Sequence, residues 1–178
     1  MEMKTYVALF RGINVGGNNI LPMKDLVKIL EGMGLTDVKT YIQSGNAVFR
    51  SASLKTDKTA KEISLRISKS HGFVPKVIIL EISELKKAID KNPFQTSEGK
   101  ALHFFFLESQ PKNPNLKTLS DVKTKSEEFK LVQNIFYLFA PDGIGRSKLA
   151  NIVEKKLGVP ATGRNWNTVS KLIELAEQ

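Results

Sequence analysis

A chain of 178 residues with 41% apolar content has room for one medium domain or two small ones around a packed core. No run of apolar residues is long enough to span a membrane as a helix, and the lack of cysteine excludes disulfides, thiolate metal sites and cysteine nucleophiles. The net charge of +9 suits either a polyanion partner or a solvated, lysine-rich surface; 22 of the 27 basic residues are lysine and scattered, which favours the surface, because planar contacts to phosphates and bases favour arginine.

The first 82 residues parse in order. Tyr6 to Phe10 is an apolar run that predicts a strand. Met23, Leu26, Val27, Leu30 and Met33 form the stripe of an amphipathic helix that opens at Pro22 and ends at Gly32 and Gly34. Val38 to Gln43 reads as a strand, Ser44-Gly45 as a hairpin turn, and Ala47 to Arg50 as the return strand. Ala60, Ile63 and Ile67 mark a second helix with Thr59-x-x-Glu62 as its capping box, and Val77 to Leu80 is a buried strand. The order β-α-β-β-α-β predicts a ferredoxin-like split βαβ unit.

The second half, 83–178, predicts a smaller α+β unit packed on the first, with no repeat period and no linker-like join. Ser83 opens a short helix, and Ala101 to Leu107 is a strand apolar on both faces. A helical turn passes through Leu116 and Leu119, and Glu128 to Gln133 pairs with Ile135 to Phe139 as a hairpin. Leu149, Ile152, Val153 and Leu157 form one helix, and Val169, Leu172, Ile173 and Ala176 the last. The fold class is therefore α+β in two packed subdomains, 1–82 and 83–178.

Three polar motifs stand out. Arg11-Gly12-Ile13-Asn14-Val15-Gly16-Gly17-Asn18-Asn19 joins the first strand to the first helix, and Gln43-Ser44-Gly45-Asn46 forms the first hairpin turn. In a split βαβ sheet the end of strand one lies at the same edge as that turn, and His71 to Lys76 enters there too. Arg11, Asn14, Asn18, Gln43, Ser44 and Asn46 are then expected to share one rim. Gly16 and Gly17 would present backbone N–H groups to an anion, Arg11 a bidentate charge, and the amides a means of orienting a ligand. The bland reading is that these residues only make turns.

Gly163-Arg164-Asn165-Trp166-Asn167-Thr168 opens the last helix, where Asn165 or Asn167 suits the N-cap. Trp166 either packs in the core or offers a stacking face, with Arg164 beside it. Gly143 to Lys148 reads as a turn plus cap. His71 is expected at a solvent-exposed helix end and His103 in a buried strand, so no metal is called for. No cofactor fingerprint is present, and Ser44 has no base nearby in sequence.

Phe10 to Gly17 with Leu21-Pro22-Met23, Thr40 to Asn46, and Arg164 to Val169 together resemble the bacterial domain-of-unknown-function 1697 family. Asn18, where a basic residue is common, and Ala47, where valine is usual, depart from its pattern. The resemblance implies a two-part α+β protein, cytoplasmic and monomeric or weakly dimeric, and implies no activity. Three functions stay open. The first is a binding protein for a small anionic or nucleotide-like ligand through Arg11, Asn14, Gly16, Gly17, Gln43, Ser44, Asn46, Arg164, Asn165 and Trp166. The second is an enzyme acting by positioning a phosphorylated or carboxylated small molecule, and the third a nucleic-acid-binding module. None needs a membrane.

Overall fold

The computed structural model of the chain describes residues 2–178. Two compact units divide them, one of residues 2–87 with 171–178 and one of residues 88–170. The first contains β1 (Lys4–Arg11), α1 (Met23–Glu31), β2 (Thr36–Thr40), β3 (Asn46–Ser51), α2 (Thr56–His71) and β4 (Lys76–Glu81). The chain continues through α3 (Ile82–Asp90) into β5 (Leu102–Leu107), α4 (Leu116–Val122), β6 (Glu128–Val132), β7 (Ile135–Phe139), α5 (Lys148–Leu157) and β8 (Ala161–Asn165), and closes with α6 (Trp166–Glu177).

The first sheet runs β2-β3-β1-β4, with every neighbouring pair antiparallel. That is the strand order of the split βαβ unit. β1 is central, and its residues Tyr6 to Phe10 are all buried, which is why it reads as an unbroken apolar run rather than an alternating one. Tyr6, Ala8 and Phe10 pack with Phe49 of β3, Leu26 and Leu30 of α1, and Ile63 and Ile67 of α2. Each fully buried aliphatic or aromatic side chain here contributes roughly 1.5–3 kcal/mol by leaving water.

The second sheet runs β6-β7-β5-β8, again antiparallel throughout. Its elements follow the same β-α-β-β-α-β order, so the second unit repeats the topology of the first without a period in the sequence. β5 takes the place of β1, and Leu102, His103, Phe104, Phe106 and Leu107 are buried. Phe104 meets Tyr137 edge-on at 5.0 Å between ring centres. The Tyr137 hydroxyl donates to the Ala88 carbonyl at 2.5 Å, and burial pushes the phenol up to about 12.

Three sequence expectations change. β2 ends at Thr40, because Ile42 takes a left-handed φ of 50° and stands exposed in the turn. α2 starts at Thr56, so Thr59 lies inside the helix and Glu62 pairs with Arg66 at 2.8 Å instead of closing a capping box. β8 is a strand that the sequence reading missed. Ala-Thr-Gly-Arg-Asn carries no apolar alternation, yet it pairs along β5 as an edge strand, and the Phe105 ring lies over Gly163 where a Cβ would stand 3.2 Å from it.

His103 is buried as expected, and its Nε2 has no hydrogen-bond partner among the described residues. Burial pushes its imidazole below the ordinary 6.5, against a smaller upward effect from the hydrogen bond to the Lys100 backbone. The folded chain therefore keeps a neutral ring that the unfolded chain protonates. Stability is full above pH 6.5 and falls as pH drops from 6.5 towards the lowered folded value, by at most about 1.4 kcal/mol per pH unit. Denaturant unfolding between pH 7.5 and 5 is expected to show this acid slope, and His103→Gln to flatten it; an equal slope in the variant would refute the assignment.

Candidate functional site

The rim is built from the backbone outward. Beyond β1, the chain folds a small hairpin: Asn14 N–H donates to Asn19 O at 3.0 Å and Asn18 N–H to Val15 O at 2.9 Å. Gly16 and Gly17 are the central residues of its turn, with φ of 56° and 78°, so the turn is of type I′. Two consecutive left-handed residues close a hairpin tip; they do not line up a concave row of N–H groups, which was the anion nest expected from the sequence.

Asn14 fastens this hairpin to the sheet. Its Nδ2 donates to Leu21 O at 2.9 Å and to Gln43 O at 2.8 Å, and its Oδ1 accepts from Leu21 N–H at 2.8 Å. Phe10 N–H donates to Gly45 O at 2.9 Å, so the loop after β1 and the turn between β2 and β3 do lie side by side. Arg11 is the register partner of Lys76, which brings the start of β4 to the same edge.

The predicted residues therefore separate by role. Arg11 is half-buried at the end of β1, and Gly16, Gly17, Gln43 and Ser44 are exposed. Asn46 is fully buried and its Nδ2 donates to Tyr41 O at 2.9 Å, so it shapes the turn and has no surface to offer a ligand. The Asn14 carboxamide is likewise engaged at both ends by the fold. Arg164, Asn165 and Trp166 belong to the second unit. Asn165 Oδ1 accepts from Thr168 N–H at 3.0 Å, the N-cap of α6. Trp166 lies edge-on to Phe104 at 6.1 Å between ring centres and is half-buried. Arg164 donates through Nη1 to Gly163 O at 2.9 Å, and burial pushes its guanidinium down to about 10. The turn at Gly143 ends in Ser147, which caps α5 by accepting from Ala150 N–H at 3.0 Å.

Two features of the rim were not read from the sequence. Four exposed aliphatic side chains, Val15 (64%), Ile20 (55%), Ile42 (49%) and Val74 (69%), stand on the three connections that meet there. Second, His71 is not the solvent-exposed residue expected. Its side chain is 18% exposed, with Nε2 3.4 Å from Asp25 Oδ2 and Nδ1 2.7 Å from Ser70 Oγ. The contact ties the last turn of α2 to the first turn of α1. Among the described residues no cluster of acidic, histidine or cysteine side chains suits a metal, and no helix is long and apolar enough to cross a membrane.

The fold and this rim define a two-unit α+β protein with an antiparallel split βαβ sheet in each unit. The chain belongs to the family described as "Protein of unknown function (DUF1697)", whose pattern matches residues 3–137. The first two motifs lie within that match and the third beyond it. No curated protein matches the chain. Among solved structures it is similar to the conserved bacterial protein SP0830 from Streptococcus pneumoniae, with 23% identity, a TM-score of 0.72, and coverage of 98% of this chain and 99% of that one. At that identity the likeness carries the fold.

The clip can be tested directly. Asn14→Ala strands the Leu21 N–H and carbonyl and forces alanine into a φ of 51°, for an expected loss of about 2–4 kcal/mol. Gly45→Ala is expected to cost at least as much, since its Cβ would stand 2.5 Å from Ile13 Cδ1 and 2.6 Å from Phe10 Cβ at a φ of 90°. Urea unfolding that shows either variant within about 0.5 kcal/mol of the parent would remove the clip from the account.

Proposed function

We propose that this protein acts by binding, and that the rim of its first unit takes a small anionic, nucleotide-like ligand. The observation that carries this reading is the mixture at one edge of the sheet: two cations, Arg11 and Lys76, in register, among four exposed aliphatic side chains. A mononucleotide carries the complementary pair of features, a phosphate and a flat apolar face. Arg11 gives the phosphate a charge-assisted contact worth about 1.5–3 kcal/mol. Val15, Ile42 and Val74 give the base an apolar bed. Gly16 and Gly17 let the ligand approach the hairpin tip, because nothing lies within 4 Å of where their Cβ atoms would stand. Gln43 and Ser44, exposed at the turn, supply an amide and a hydroxyl.

One alternative has its own support. The His71 imidazole, held between Asp25 and Ser70, fixes the entry to β4 beside the rim, as an enzyme that works by positioning a phosphorylated or carboxylated substrate needs. In that case His71→Gln stops product formation and leaves binding intact.

Titration of the whole chain with mononucleotides, the parent nucleosides, inorganic phosphate and a single-stranded oligonucleotide tests the reading. A mononucleotide is expected to bind saturably and more tightly than nucleoside or phosphate alone. Arg11→Ala and Ile42→Ser are each expected to weaken it about tenfold, corresponding to about 1.4 kcal/mol. Unchanged affinity in both variants would overturn the proposal. Tight oligonucleotide binding that falls steeply with salt would replace it by the nucleic-acid reading.

A further inference from the structure

At the end of the first sheet away from the rim, where β1 begins and β3 and β4 finish, lies a cleft of about 320 Å³. Tyr6 forms part of its wall. The Tyr6 side chain is 4% exposed, with its ring stacked on Phe49 at 5.9 Å between centres. Its hydroxyl makes no hydrogen bond among the described residues, and it is not among the polar atoms sealed from solvent, so it opens into the cleft. A phenol buried to this extent ordinarily has a partner.

The cleft is polar and its charges are divided. Thr56, in the lining, begins α2, a helix of 16 residues whose N-cap, Lys55, supplies no side-chain hydrogen bond. The N–H groups of that first turn and the helix dipole favour a carboxylate. Glu84 also lines the cleft; it accepts from the Glu81 N–H through Oε2 at 2.7 Å, and its Oε1 enters no hydrogen bond among the described residues. Lys4 and Glu81, which line the cleft as well, neutralise each other at 3.0 Å. Their hydrogen bond raises the Lys4 ammonium and lowers the Glu81 carboxyl from their ordinary values. A polyanion would meet Glu81 and Glu84, and a simple cation would meet the positive end of α2.

We propose that this cleft binds a small zwitterion of the α-amino acid class, its carboxylate on the Tyr6 hydroxyl, Thr56 and the first turn of α2, and its ammonium on Glu84. The volume lies at the lower end of the range for small-molecule sites. The site is separate from the rim and does not depend on the rim's function.

Amide-resolved NMR titration of the full chain with each of the twenty common amino acids tests it. At least one is expected to shift the amides of residues 53–58 and 82–84 saturably, with residues 14–19 unmoved. Removing either charge of that amino acid, as its N-acetyl or its carboxamide form, is expected to weaken binding at least tenfold. Tyr6→Phe keeps the ring stack, removes only a hydroxyl without a partner among the described residues, and is expected to weaken binding about fivefold. The proposal is overturned if no amino acid produces saturable shifts at those amides, if an uncharged form binds as well as its parent, or if Tyr6→Phe binds unchanged.

Discussion

The carboxamide of Asn14 is the contact on which the rim depends. It reaches Leu21 in one direction and Gln43 in the other, so one side chain holds the hairpin after β1, the entry to α1 and the turn between β2 and β3 in a single arrangement. Without it the segment between β1 and α1 would be a glycine-rich connection with several left-handed residues and a large ordering cost. With it, the exposed Val15 and Ile20 stand on a fixed connection at the same end of the sheet as those that carry Ile42 and Val74. Gly45 completes the junction, because only a residue without Cβ lets the turn close against Phe10 and Ile13.

The two ends of the first sheet are built differently for a topological reason. At the rim, β1 hands over to a long connection and β2 to a turn, so backbone that belongs to no strand is concentrated there. At the other end, β4 runs directly into α3 and β3 reaches α2 through the short connection 52–55, and the cleft beside Tyr6 is lined by strand ends, helix starts and that connection. The rim offers cations and aliphatic side chains on protruding loops. The cleft offers an uncapped helix start and a carboxylate in a recess. One sheet thus presents two chemically distinct surfaces.

Both units solve one packing problem in the same way. A central strand apolar on both faces, β1 or β5, is flanked by two antiparallel neighbours and backed by two helices. One edge strand of each sheet is short and polar: β2, where the pairing shifts between Thr36 and Lys39, and β8. Sequence similarity is not needed for the topology to recur, because the layer arrangement and the strand order follow from the order of elements and from burial.

The sequence by itself determined the elements that carry their own hydrophobic signal. β1, β5, α1, α5 and the hairpin of β6 and β7 were legible because burial imposes a period on the chain, and so was the meeting of the loop at 11–19 with the turn at 43–46, because strand order follows from element order. β8 was not legible, since an edge strand made of Ala, Thr, Gly, Arg and Asn owes its existence to hydrogen bonds with β5 and not to its own pattern. Nor were the roles of Asn14 and Asn46, whose polarity is the same whether an amide faces a ligand or the backbone. Tertiary structure decided those roles, and it alone set Tyr6 in the wall of a cleft and His71 against Asp25, because a residue's partners across the fold are chosen by packing and cannot be read from its neighbours in the chain.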